Sequence, residues 1–431
     1  MMLRDLAGKR VVIWGYGREG RAAGDALAGV PVACLTIIDD KVPDAADRLV
    51  LTGADADAAL AAADVVIKSP GVSRYEERVL ALASRGVAVT GGSALWMAEH
   101  HSHALAVTGS KGKSTTSALI HHLATAVGIE NTYGGNIGVP LLELPADEQY
   151  VVELSSYQCS ELTDSPAVAV LTSLFPEHLN WHGSAERYYA DKLNLLAHRP
   201  DAVIVNATDG LLLTTVRRLH PHLDLIEVGA ADDPGLFGAL ALRGAHNRQN
   251  AHLAVTAVRL LARRQGIDLT DRRAEITDGL RSFQGLPHRL VVIAEEDGLR
   301  FVDDSLSTAP QAAIAALDAF PDGPLALIVG GQDRGVDYTP LHEHLSGTDR
   351  AVTVIGIPES GPRILAALGH LPRVTVEPAD DLTDAVRRAR GALRDTGGTV
   401  LLSPAAPSYG IYRDHRERGT AFARAVERTR P

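Results

Sequence analysis

The sequence predicts an α/β protein whose sheets are mostly parallel. Short apolar runs alternate along the chain with alanine-rich stretches of helical pattern, and this alternation is typical of βα units. Several of the runs lead straight into polar or glycine-rich turns, which is where parallel sheets bind their ligands. The predicted strands lie in VVIW, VACLTII, DVVIKS, ALAVTG, YVVELS, AVAVLTS, AVIVN, LALIVGG, AVTVIG and GTVLLSP.

Composition and charge restrict the class of protein. The 431 residues are 45% hydrophobic and 22% charged, as in ordinary globular proteins, and no apolar run reaches the ~18 residues of a membrane span. The two cysteines, Cys34 and Cys159, form no CxxC motif and favour a reducing compartment. A net charge of -11 argues against extended nucleic-acid binding. We therefore expect a cytoplasmic protein that binds neither membranes nor nucleic acids.

Three series of βα units follow one another along the chain. The first occupies residues 1 to about 95 and opens with VVIWGYGREG, and the second runs from about 103 to 285 and starts at ALAVTGSKGKSTT. The third begins near the HRL of 288–290 and ends with the charged helix TAFARAVERTR. Because parallel sheets bind ligands beyond the carboxyl ends of their strands, three such sheets can offer one shared cleft.

The first glycine-rich turn is GYGREG, Gly15 to Gly20, which follows a strand and opens a helix. Its glycines let phosphates approach backbone N–H groups at a helix N-terminus. Asp39 and Asp40 end the next strand, about twenty residues on, where a carboxylate can hold a ribose hydroxyl. The pattern is compatible with a nicotinamide dinucleotide, with another nucleotide diphosphate, or with a tight turn that binds nothing.

The strongest signal in the chain is TGSKGKSTT, which begins at Thr108. Backbone N–H groups of such a turn cradle phosphates, Lys113 reaches the β- and γ-phosphates, and Ser114 or Thr115 holds Mg²⁺. Val107 occupies the place of the first glycine in the usual GxxxxGK[ST] pattern. A turn without a ligand has no need of GKST at a helix start, so we predict a nucleoside triphosphate site.

Candidate metal ligands follow two later strands. Glu153 ends YVVELS, and His178 follows AVAVLTS in FPEHLNWHGS, beside Glu177. A carboxylate and an imidazole at neighbouring strand ends can both reach metal ions near phosphates, although either one alone is compatible with a structural role. On composition alone, Lys192 in YYADKLNLL is a solvated helix lysine.

Taken together, TGSKGKSTT, ELSSYQ, EHLNWH, GAHNRQN and LPHRL resemble the Mur ligases, in order and over essentially the full length. The chain is most similar to the branch that adds glutamate to UDP-N-acetylmuramoyl-L-alanine in peptidoglycan precursor synthesis. The resemblance implies ATP, Mg²⁺ and a monomer. It also implies a Rossmann-like UDP-binding domain at 1–95, a central P-loop ATPase domain at 96–285, and a C-terminal Rossmann-like domain at 286–431 that binds glutamate and ATP.

The resemblance also assigns roles to the positions that match the family motifs. It implies UDP-sugar contacts at Gly15, Gly17, Arg18, Glu19, Asp39, Asp40, Ser69, Gly71 and Asn136. It implies ATP contacts at Gly109, Ser110, Lys111, Gly112, Lys113, Ser114, Thr115, Asn247, Arg289 and Asp304. It implies catalytic roles for Lys113, Glu153, His178 and Lys192, and metal ligation by Ser114, Glu153, His178 and Lys192. Lys192 matches a lysine that the family carbamylates, which turns a cation into a carboxylate-like Mg²⁺ ligand.

The turn FVDDSLSTAP, residues 301–310, departs from the family pattern. The D-glutamate-adding enzymes usually read Asn-Asp-Ser-Lys-Ala-Thr-Asn here, and this chain has Leu306 in place of the lysine. Downstream, Arg334 stands where a lysine is common and His415 where an aromatic is usual, while Thr308 and Ser408 are retained. These four residues are the predicted glutamate contacts.

The departures cluster around one small ligand, and this clustering favours a pocket reshaped for the opposite enantiomer. The chain then resembles the less common branch that attaches L-glutamate and leaves inversion to a separate epimerase. D-Glutamate addition is the main alternative, followed by another amino-acid ligase of the superfamily. An NAD(P) dehydrogenase would not account for TGSKGKSTT. A nucleotide-dependent switch would account for that turn but not for Lys192 or the C-terminal segment.

Overall fold

The computed structural model describes residues 1–40, 48–242 and 244–430. Within these residues the chain forms two compact units. The first unit comprises residues 1–239 and 249–280, and the second comprises residues 240–248 and continues from residue 281. Each unit is described by itself below.

The first sheet of the first unit is parallel throughout, with the strand order β3-β2-β1-β4-β5 in the described residues. Its strands are β1 (Arg10–Trp14), β2 (Cys34–Ile38), β3 (Val50–Leu51), β4 (Val65–Lys68) and β5 (Ala88–Thr90). Its helices are α1 (Arg18–Ala26), α2 (Gly53–Ala62), α3 (Glu77–Ser84) and α4 (Gly92–His100).

The second sheet of the first unit is also parallel, with the order β11-β10-β9-β6-β8-β7 in the described residues. Its strands are β6 (Ala104–Thr108), β7 (Thr132–Gly135), β8 (Tyr150–Glu153), β9 (Val168–Leu171), β10 (Ala202–Asn206) and β11 (Leu225–Val228). The helices of this part are α5 (Lys113–Ala126), α6 (Ser156–Cys159), α7 (Leu179–His182), α8 (Ala185–Leu193), α9 (Gly210–Leu219), α10 (Pro234–Phe237), α11 (Ala245–Arg264) and α12 (Arg273–Ser282). The first residues of α11 belong to the second unit.

The second unit contains a sheet with the order β12-β13-β17-β14-β15-β16 in the described residues. The β12–β13 pair is antiparallel and the other pairs are parallel. Its strands are β12 (Val291–Glu296), β13 (Leu299–Asp303), β14 (Leu325–Val329), β15 (Val352–Gly356), β16 (Val374–Pro378) and β17 (Gly398–Leu402). Its helices are α13 (Pro310–Ala319), α14 (Thr339–Ser346), α15 (Gly361–Leu368), α16 (Leu382–Ala392) and α17 (His415–Arg428).

Burial explains why the central strands form where the apolar runs lie. Strands β4, β6, β8, β9 and β14 are buried along their whole length, because helices cover both faces of a parallel sheet. The predicted α/β class with mostly parallel sheets is confirmed, and each sheet falls within one of the three predicted segments. The domain boundaries and their ligand assignments stay predictions. Among the described helices, none is both long and apolar enough to cross a membrane.

Candidate active site

The turn between β6 and α5 has the shape of a phosphate-binding loop. Gly109 and Gly112 have φ values of +153° and +86°, in the region that favours glycine. A Cβ on Gly109 would lie 2.0 Å from Thr172 Oγ1, and one on Gly112 would lie 2.6 Å from Asn250 Oδ1. Both positions therefore lack the space for any side chain, and the backbone of the turn is held close to its neighbours.

Ser110 fixes this turn from within. Its N–H donates to Ser173 O at 2.8 Å, and its hydroxyl lies 2.8 Å from Phe175 O and 2.7 Å from the Tyr188 hydroxyl. The residue is 1% exposed. In this structure the polar groups of Ser110 are engaged inside the protein, so its contribution to a phosphate site is to set the shape of the loop.

Two lysines place positive charge at the N-terminus of α5. Lys113 Nζ donates to Gly109 O at 2.9 Å and to Ser110 O at 3.1 Å, which folds the side chain back over the loop. Lys111 Nζ lies 2.6 Å from Glu177 Oε1. Burial alone would raise the pKa of Glu177, but Lys111 and Lys113 outweigh it and the pKa is lowered. The site is therefore electropositive where phosphates would enter.

Among the described residues, only one of the two carboxylate oxygens of Glu153, at the end of β8, has a hydrogen-bond partner. The side chain is fully buried, and its Oε1 accepts a hydrogen bond of 2.9 Å from Asn136 Nδ2. Its Oε2 is buried and has no hydrogen-bond partner among the described residues. Asn136 also donates its N–H to Glu153 O at 2.9 Å. An unpaired buried carboxylate oxygen is costly, and a bound cation would satisfy it.

His178 follows β9 in the left-handed backbone region, with φ of 54°. Its ring centre lies 5.1 Å from that of Tyr157. The pKa of His178 is lowered to about 4, mainly because the surrounding protein desolvates the ring; Glu177 opposes the shift, and the charges of Lys111, Lys113 and Lys192 favour it. The imidazole is neutral at neutral pH, which is the form that binds metal ions.

Lys192 is buried in α8, so the interpretation of this residue as a solvated helix lysine is wrong. It is 2% exposed, and its Nζ donates to Gly109 O at 2.9 Å. Burial lowers the pKa of Lys192 to about 7, and the nearby Lys113 ammonium contributes in the same direction. The amine reaches the backbone of the phosphate loop, and a large fraction of it is unprotonated at neutral pH.

These residues fit a site for Mg²⁺ that protein side chains alone do not complete. No group of three or more His, Cys, Asp or Glu side chains is arranged to hold a metal ion in the described part of the chain. The protein can offer Glu153 Oε2, the His178 imidazole and the hydroxyl of Ser114 at the start of α5. Hard oxygen ligands from phosphates and from a modified Lys192 would complete such a set.

The Gly15–Gly20 turn forms the predicted βα junction. Gly15 has φ of +97°, and a Cβ there would lie 2.3 Å from Ser69 Oγ, while a Cβ on Gly20 would lie 2.0 Å from Gly15 O. At Gly17 the corresponding space is open. Asp39 accepts the Tyr16 N–H at 2.7 Å, so its carboxylate is tied to the turn.

Other predicted UDP-sugar residues join this turn to the second sheet. Arg18 donates to Gly138 O at 2.9 Å and to Asn136 O at 3.1 Å. Glu19 accepts from Gln158 at 3.4 Å, and burial raises the pKa of Glu19. Asp40 instead pairs with Arg78 on the surface at 3.0 Å. Because Asn136 also bonds Glu153, the segment predicted to bind the nucleotide sugar touches the segment that carries this predicted metal ligand.

In the second unit, Asp304 is the most strongly perturbed carboxyl group among those predicted to bind ligands. It follows β13, is 5% exposed, and its Oδ2 accepts from Ser403 Oγ at 2.6 Å. Burial raises the pKa of Asp304 to about 7, although Ser403 and Arg289 act in the opposite direction. Asn247, at the start of α11, is also buried.

The acidic side chains of the 301–310 turn make hydrogen bonds within the protein. Asp303 Oδ1 accepts from Ser305 N at 2.9 Å, and its Oδ2 lies 2.7 Å from His288 Nδ1. Leu306 is half-buried, and its N–H donates to His288 O at 2.9 Å. Thr308 is exposed. Leu306 is thus part of the turn's packing, whereas Thr308 faces outward where a ligand can reach it.

The other predicted glutamate residues differ in exposure. Arg334 is exposed and donates to Gln332 Oε1 at 2.9 Å. Ser408 is 5% exposed. His415 begins α17, and its ring centre lies 6.0 Å from that of His288. The pKa of His415 is lowered, mainly by desolvation.

Arg418 is a residue that the sequence interpretation missed. It is fully buried, and its guanidinium donates to Ser305 O at 2.8 Å and to Ala406 O at 3.1 Å. Burial lowers the pKa of Arg418 to about 10. The signal was present, because Phe422 and Ala425 recur at helical spacing from position 418 and mark the buried face of α17. Arg418 connects the turns that follow β13 and β17.

Comparison with known proteins identifies the family. The family model of the Mur ligase middle domain matches residues 107–257, and that of the Mur ligase glutamate ligase domain matches residues 288–406. The UDP-N-acetylmuramoyl-L-alanine--L-glutamate ligase of a Micromonospora strain is 49% identical over 453 residues, covering 100% of this chain and 99% of its own. The chain belongs to the Mur ligase family. The predicted enzyme class, an ATP-dependent amide-bond-forming ligase, is confirmed with it.

Other Mur ligases agree in sequence and in fold. A protein of the same name in Salinispora tropica is 49% identical, covering 100% of this chain and 100% of its own. Another, in Xanthomonas oryzae, is 39% identical, covering 98% of this chain and 96% of its own. A MurF structure from Acinetobacter baumannii has a TM-score of 0.60 at 19% identity, covering 99% of this chain and 93% of its own. The Thermotoga maritima MurC structure has a TM-score of 0.59 at 19% identity, covering 98% and 100%. At this identity the two structures show the shared fold alone.

Proposed function

We propose that this Mur ligase joins L-glutamate to UDP-N-acetylmuramoyl-L-alanine with conversion of ATP to ADP and phosphate. The observation that carries the proposal is Lys192, which is buried against the phosphate loop, together with Glu153 Oε2, for which the described residues supply no hydrogen-bond partner. The substrate assignment is supported by relatives of that name that match along essentially the whole chain. The product belongs to peptidoglycan precursor synthesis.

The chemistry follows from the weakness of a carboxylate as an acyl donor, since its leaving group would be oxide. The carboxylate of the alanine residue attacks the γ-phosphorus of ATP, and the bond to ADP breaks, which gives an acyl phosphate and ADP. The glutamate amine then attacks the acyl carbon and loses a proton. Collapse of the tetrahedral intermediate expels phosphate and leaves an amide.

Two anions must approach each other in the first step, so positive charge at the loop is required. Lys113 lies over the loop and Lys111 stands beside it, and both are placed to offset charge on the phosphates. When bound, Mg²⁺ would neutralise charge on the transferring phosphoryl group. Glu153, His178, Ser114 and Lys192 are the residues that would hold it.

Lys192 becomes a suitable ligand after carbamylation. Its neutral amine adds to carbon dioxide, and loss of one proton leaves a carbamate anion. A buried lysine with pKa of about 7 supplies that neutral amine near physiological pH, which a solvated lysine does not. The carbamate would also replace a cation next to Lys113 with an anion, removing a repulsion between like charges in the site.

Nucleotide-sugar and glutamate sites complete the proposal. The UDP-sugar is assigned to the Gly15–Gly20 turn, where space is open at Gly17. Glutamate is assigned to Thr308, Arg334, Ser408 and His415. The L-enantiomer is supported by the departures at Leu306 and its neighbours and by the names of the relatives. Such a product requires a later inversion of the glutamate centre, so a separate epimerase would act on it.

The test is phosphate release by the full chain with ATP, Mg²⁺ and UDP-N-acetylmuramoyl-L-alanine. We expect turnover that depends on all three and on L-glutamate, and little with D-glutamate. The matched control omits the amino acid. Faster turnover with D-glutamate would overturn the stereochemical assignment and keep the ligase, whereas no turnover with either enantiomer would overturn the substrate assignment.

A further inference from the structure

A chain of buried hydrogen bonds runs beside the candidate active site without using any predicted site residue. His182 Nδ1 lies 2.6 Å from Asp191 Oδ2, and His182 Nε2 lies 3.0 Å from Ser156 Oγ. The Tyr75 hydroxyl donates to both oxygens of Asp191, at 2.9 and 3.1 Å. Ser156, His182 and Asp191 are 2%, 0% and 6% exposed.

The chemistry of the side chains determines which of them donates and which accepts in each hydrogen bond. An ionised carboxylate only accepts, so Nδ1 of His182 carries the proton that it donates to Asp191. Nε2 then contacts the Ser156 hydroxyl, which can serve as donor or acceptor. Charge-assisted bonds of this kind are shorter and stronger than neutral ones, and Asp191 receives them from two different segments of the chain.

A serine, a histidine and an aspartate in this order also suggest the nucleophilic triad of a hydrolase. Such a nucleophile has to meet its substrate, and Ser156 is 2% exposed at the start of α6. Burial therefore excludes a hydrolytic role in this conformation. The network must act through the residues that it holds in place.

The positions of the network members along the chain show what is held. Ser156 lies three residues after Glu153, His182 lies four residues after His178, and Asp191 directly precedes Lys192. Three of the four segments that present a proposed metal ligand, those of Glu153, His178 and Lys192, therefore carry one member of the network each, whereas the Ser114 segment carries none. His182 bonds both Ser156 and Asp191, so a displacement of its segment would strain two hydrogen bonds, and a displacement of either other segment would strain the bond to His182.

The fourth member, Tyr75, lies in the segment 69–78 that follows β4 of the first sheet. This segment contains Ser69 and Gly71, at which the resemblance to the Mur ligases implies nucleotide-sugar contacts. Two further hydrogen bonds fasten it to α7: Ser73 Oγ donates to Trp181 O at 2.8 Å, and Trp181 Nε1 donates to Pro70 O at 3.1 Å. Both sheets involved lie in the first unit.

We propose that Tyr75, Ser156, His182 and Asp191 form a positioning network that holds Glu153, His178 and Lys192 in their mutual arrangement and ties them to the nucleotide-sugar segment. The inference rests on the proposed function, because that function assigns the ligand roles. None of the four network residues is among those assigned a contact with substrate, nucleotide or metal. They act through the residues beside them, as the outer partners of metal ligands do in other proteins.

The test compares Asp191→Asn and Tyr75→Phe with a matched control, Asp147→Asn. Asp147 is a partly buried carboxylate in the same unit that accepts from Thr132 Oγ1 at 2.6 Å, but it precedes β8, at the end of the strand opposite Glu153. Loss of such an outer partner typically costs ~10–100-fold in metal affinity or activity. We expect that decrease in kcat for Asp191→Asn, a smaller one for Tyr75→Phe, and none for Asp147→Asn.

A second measurement does not depend on turnover. The rise in Tm with ADP is followed as Mg²⁺ is titrated, and the Mg²⁺ concentration for half of the effect should increase about 10–100-fold in Asp191→Asn. Wild-type Mg²⁺ dependence in both network variants would overturn the network. So would an equal change in Asp147→Asn, since the effect would then be a general loss of stability.

The outcome is separable from that of the proposed function. If the wild type releases no phosphate with UDP-N-acetylmuramoyl-L-alanine, the substrate assignment fails, and the Mg²⁺ titration with ADP still decides the network. If Asp191→Asn fails to fold, the comparison is made with Tyr75→Phe, which removes only one hydroxyl from a partly buried ring. An unchanged Mg²⁺ titration in Tyr75→Phe would then contradict the network.

Discussion

Two polar turns follow parallel strands in this protein. They differ in which of the polar groups around them could still bind a ligand. Around the 108–115 turn, a buried carboxylate oxygen of Glu153 has no hydrogen-bond partner in the described part of the chain, and a buried Lys192 has its pKa lowered to about 7. Around the 301–310 turn, Asp303 and Ser305 bond to each other, and Arg418 holds the Ser305 carbonyl. Thr308 remains exposed.

The difference supports the proposed assignment of the chemistry to the first turn and of amino-acid recognition to the second. Unmet or desolvated groups are costly to maintain, and they concentrate where a cation, a phosphate or a proton is handled. The first turn has them. The second turn makes most of its polar contacts internally; the exceptions are Asp304, whose pKa is raised, and the buried Ser307 hydroxyl, which has no hydrogen-bond partner among the described residues. Under the proposed function, this turn offers a preformed surface on which the amino acid would be recognised by a few outward groups. Substitutions should therefore be more damaging at the first turn.

The largest effect is expected for Lys192→Ala. The variant should lose more than the ~10²–10³-fold that one electrostatic donor supplies, because it removes a metal ligand at a buried position. Acetate should restore part of the rate by replacing the missing carboxylate-like ligand. The measurement is phosphate release with and without acetate, with the exposed Lys9→Ala as control. Full activity of Lys192→Ala would show that the buried lysine is structural only.

Lys113→Ala should come next, with a loss of ~10²–10³-fold in turnover. The ammonium lies at the mouth of the loop, where charge develops during phosphoryl transfer. Lys111→Ala is the matched comparison, since Lys111 is already paired with Glu177 and should matter less. Near-wild-type turnover of Lys113→Ala would contradict the assignment of the 108–115 turn.

In the second unit, Asp304→Asn should stabilise the protein while reducing activity. Folding raises the pKa of Asp304 to about 7 from an ordinary value of 3.8, so the unfolded chain loses this proton at lower pH than the folded one. Stability therefore falls as pH rises between these two values, and the asparagine variant avoids that loss. We expect a gain of roughly 2–4 kcal/mol at pH 8 that shrinks towards pH 4.

The measurement is denaturant unfolding of the full chain at several pH values. Asp322→Asn, an exposed carboxylate of the same unit, is the control and should change little. An equal gain at pH 4 and pH 8 would mean that titration of Asp304 is not the cause.

The smallest effect is expected for Arg334→Ala. Its exposed guanidinium would contribute one charge-assisted contact to a glutamate carboxylate, so KM for glutamate should rise roughly tenfold with kcat little changed. Steady-state kinetics with varied glutamate measures this, and Arg413→Ala, another exposed arginine of the second unit, is the control. A fall in kcat with unchanged KM would place Arg334 in the chemical step instead.

The strands show which elements can be predicted from local sequence patterns. The largely buried runs of β1, β4, β6, β8, β9, β10 and β14 were predicted from sequence, because burial on both faces leaves a continuous apolar pattern. The strands β7, β11, β12 and β16 at the sheet edges were not predicted. Their burial is mixed, since an edge strand pairs on one side and is partly solvated, and glutamate, threonine or glycine residues shorten their apolar runs.

The α/β class, the two glycine turns and the phosphate loop were determined by sequence alone, because each depends on residues that are near one another along the chain. Only the tertiary structure decided the burial of Lys192 against Gly109, the unpaired oxygen of Glu153 and the bond from Tyr75 to Asp191. These contacts join residues separated by many strands and helices, as in the Lys192–Gly109 bond across 83 positions and the Tyr75–Asp191 bond across 116. No local periodicity encodes such pairs, so the desolvation that changes the chemistry of Lys192 appears only when the sheets pack.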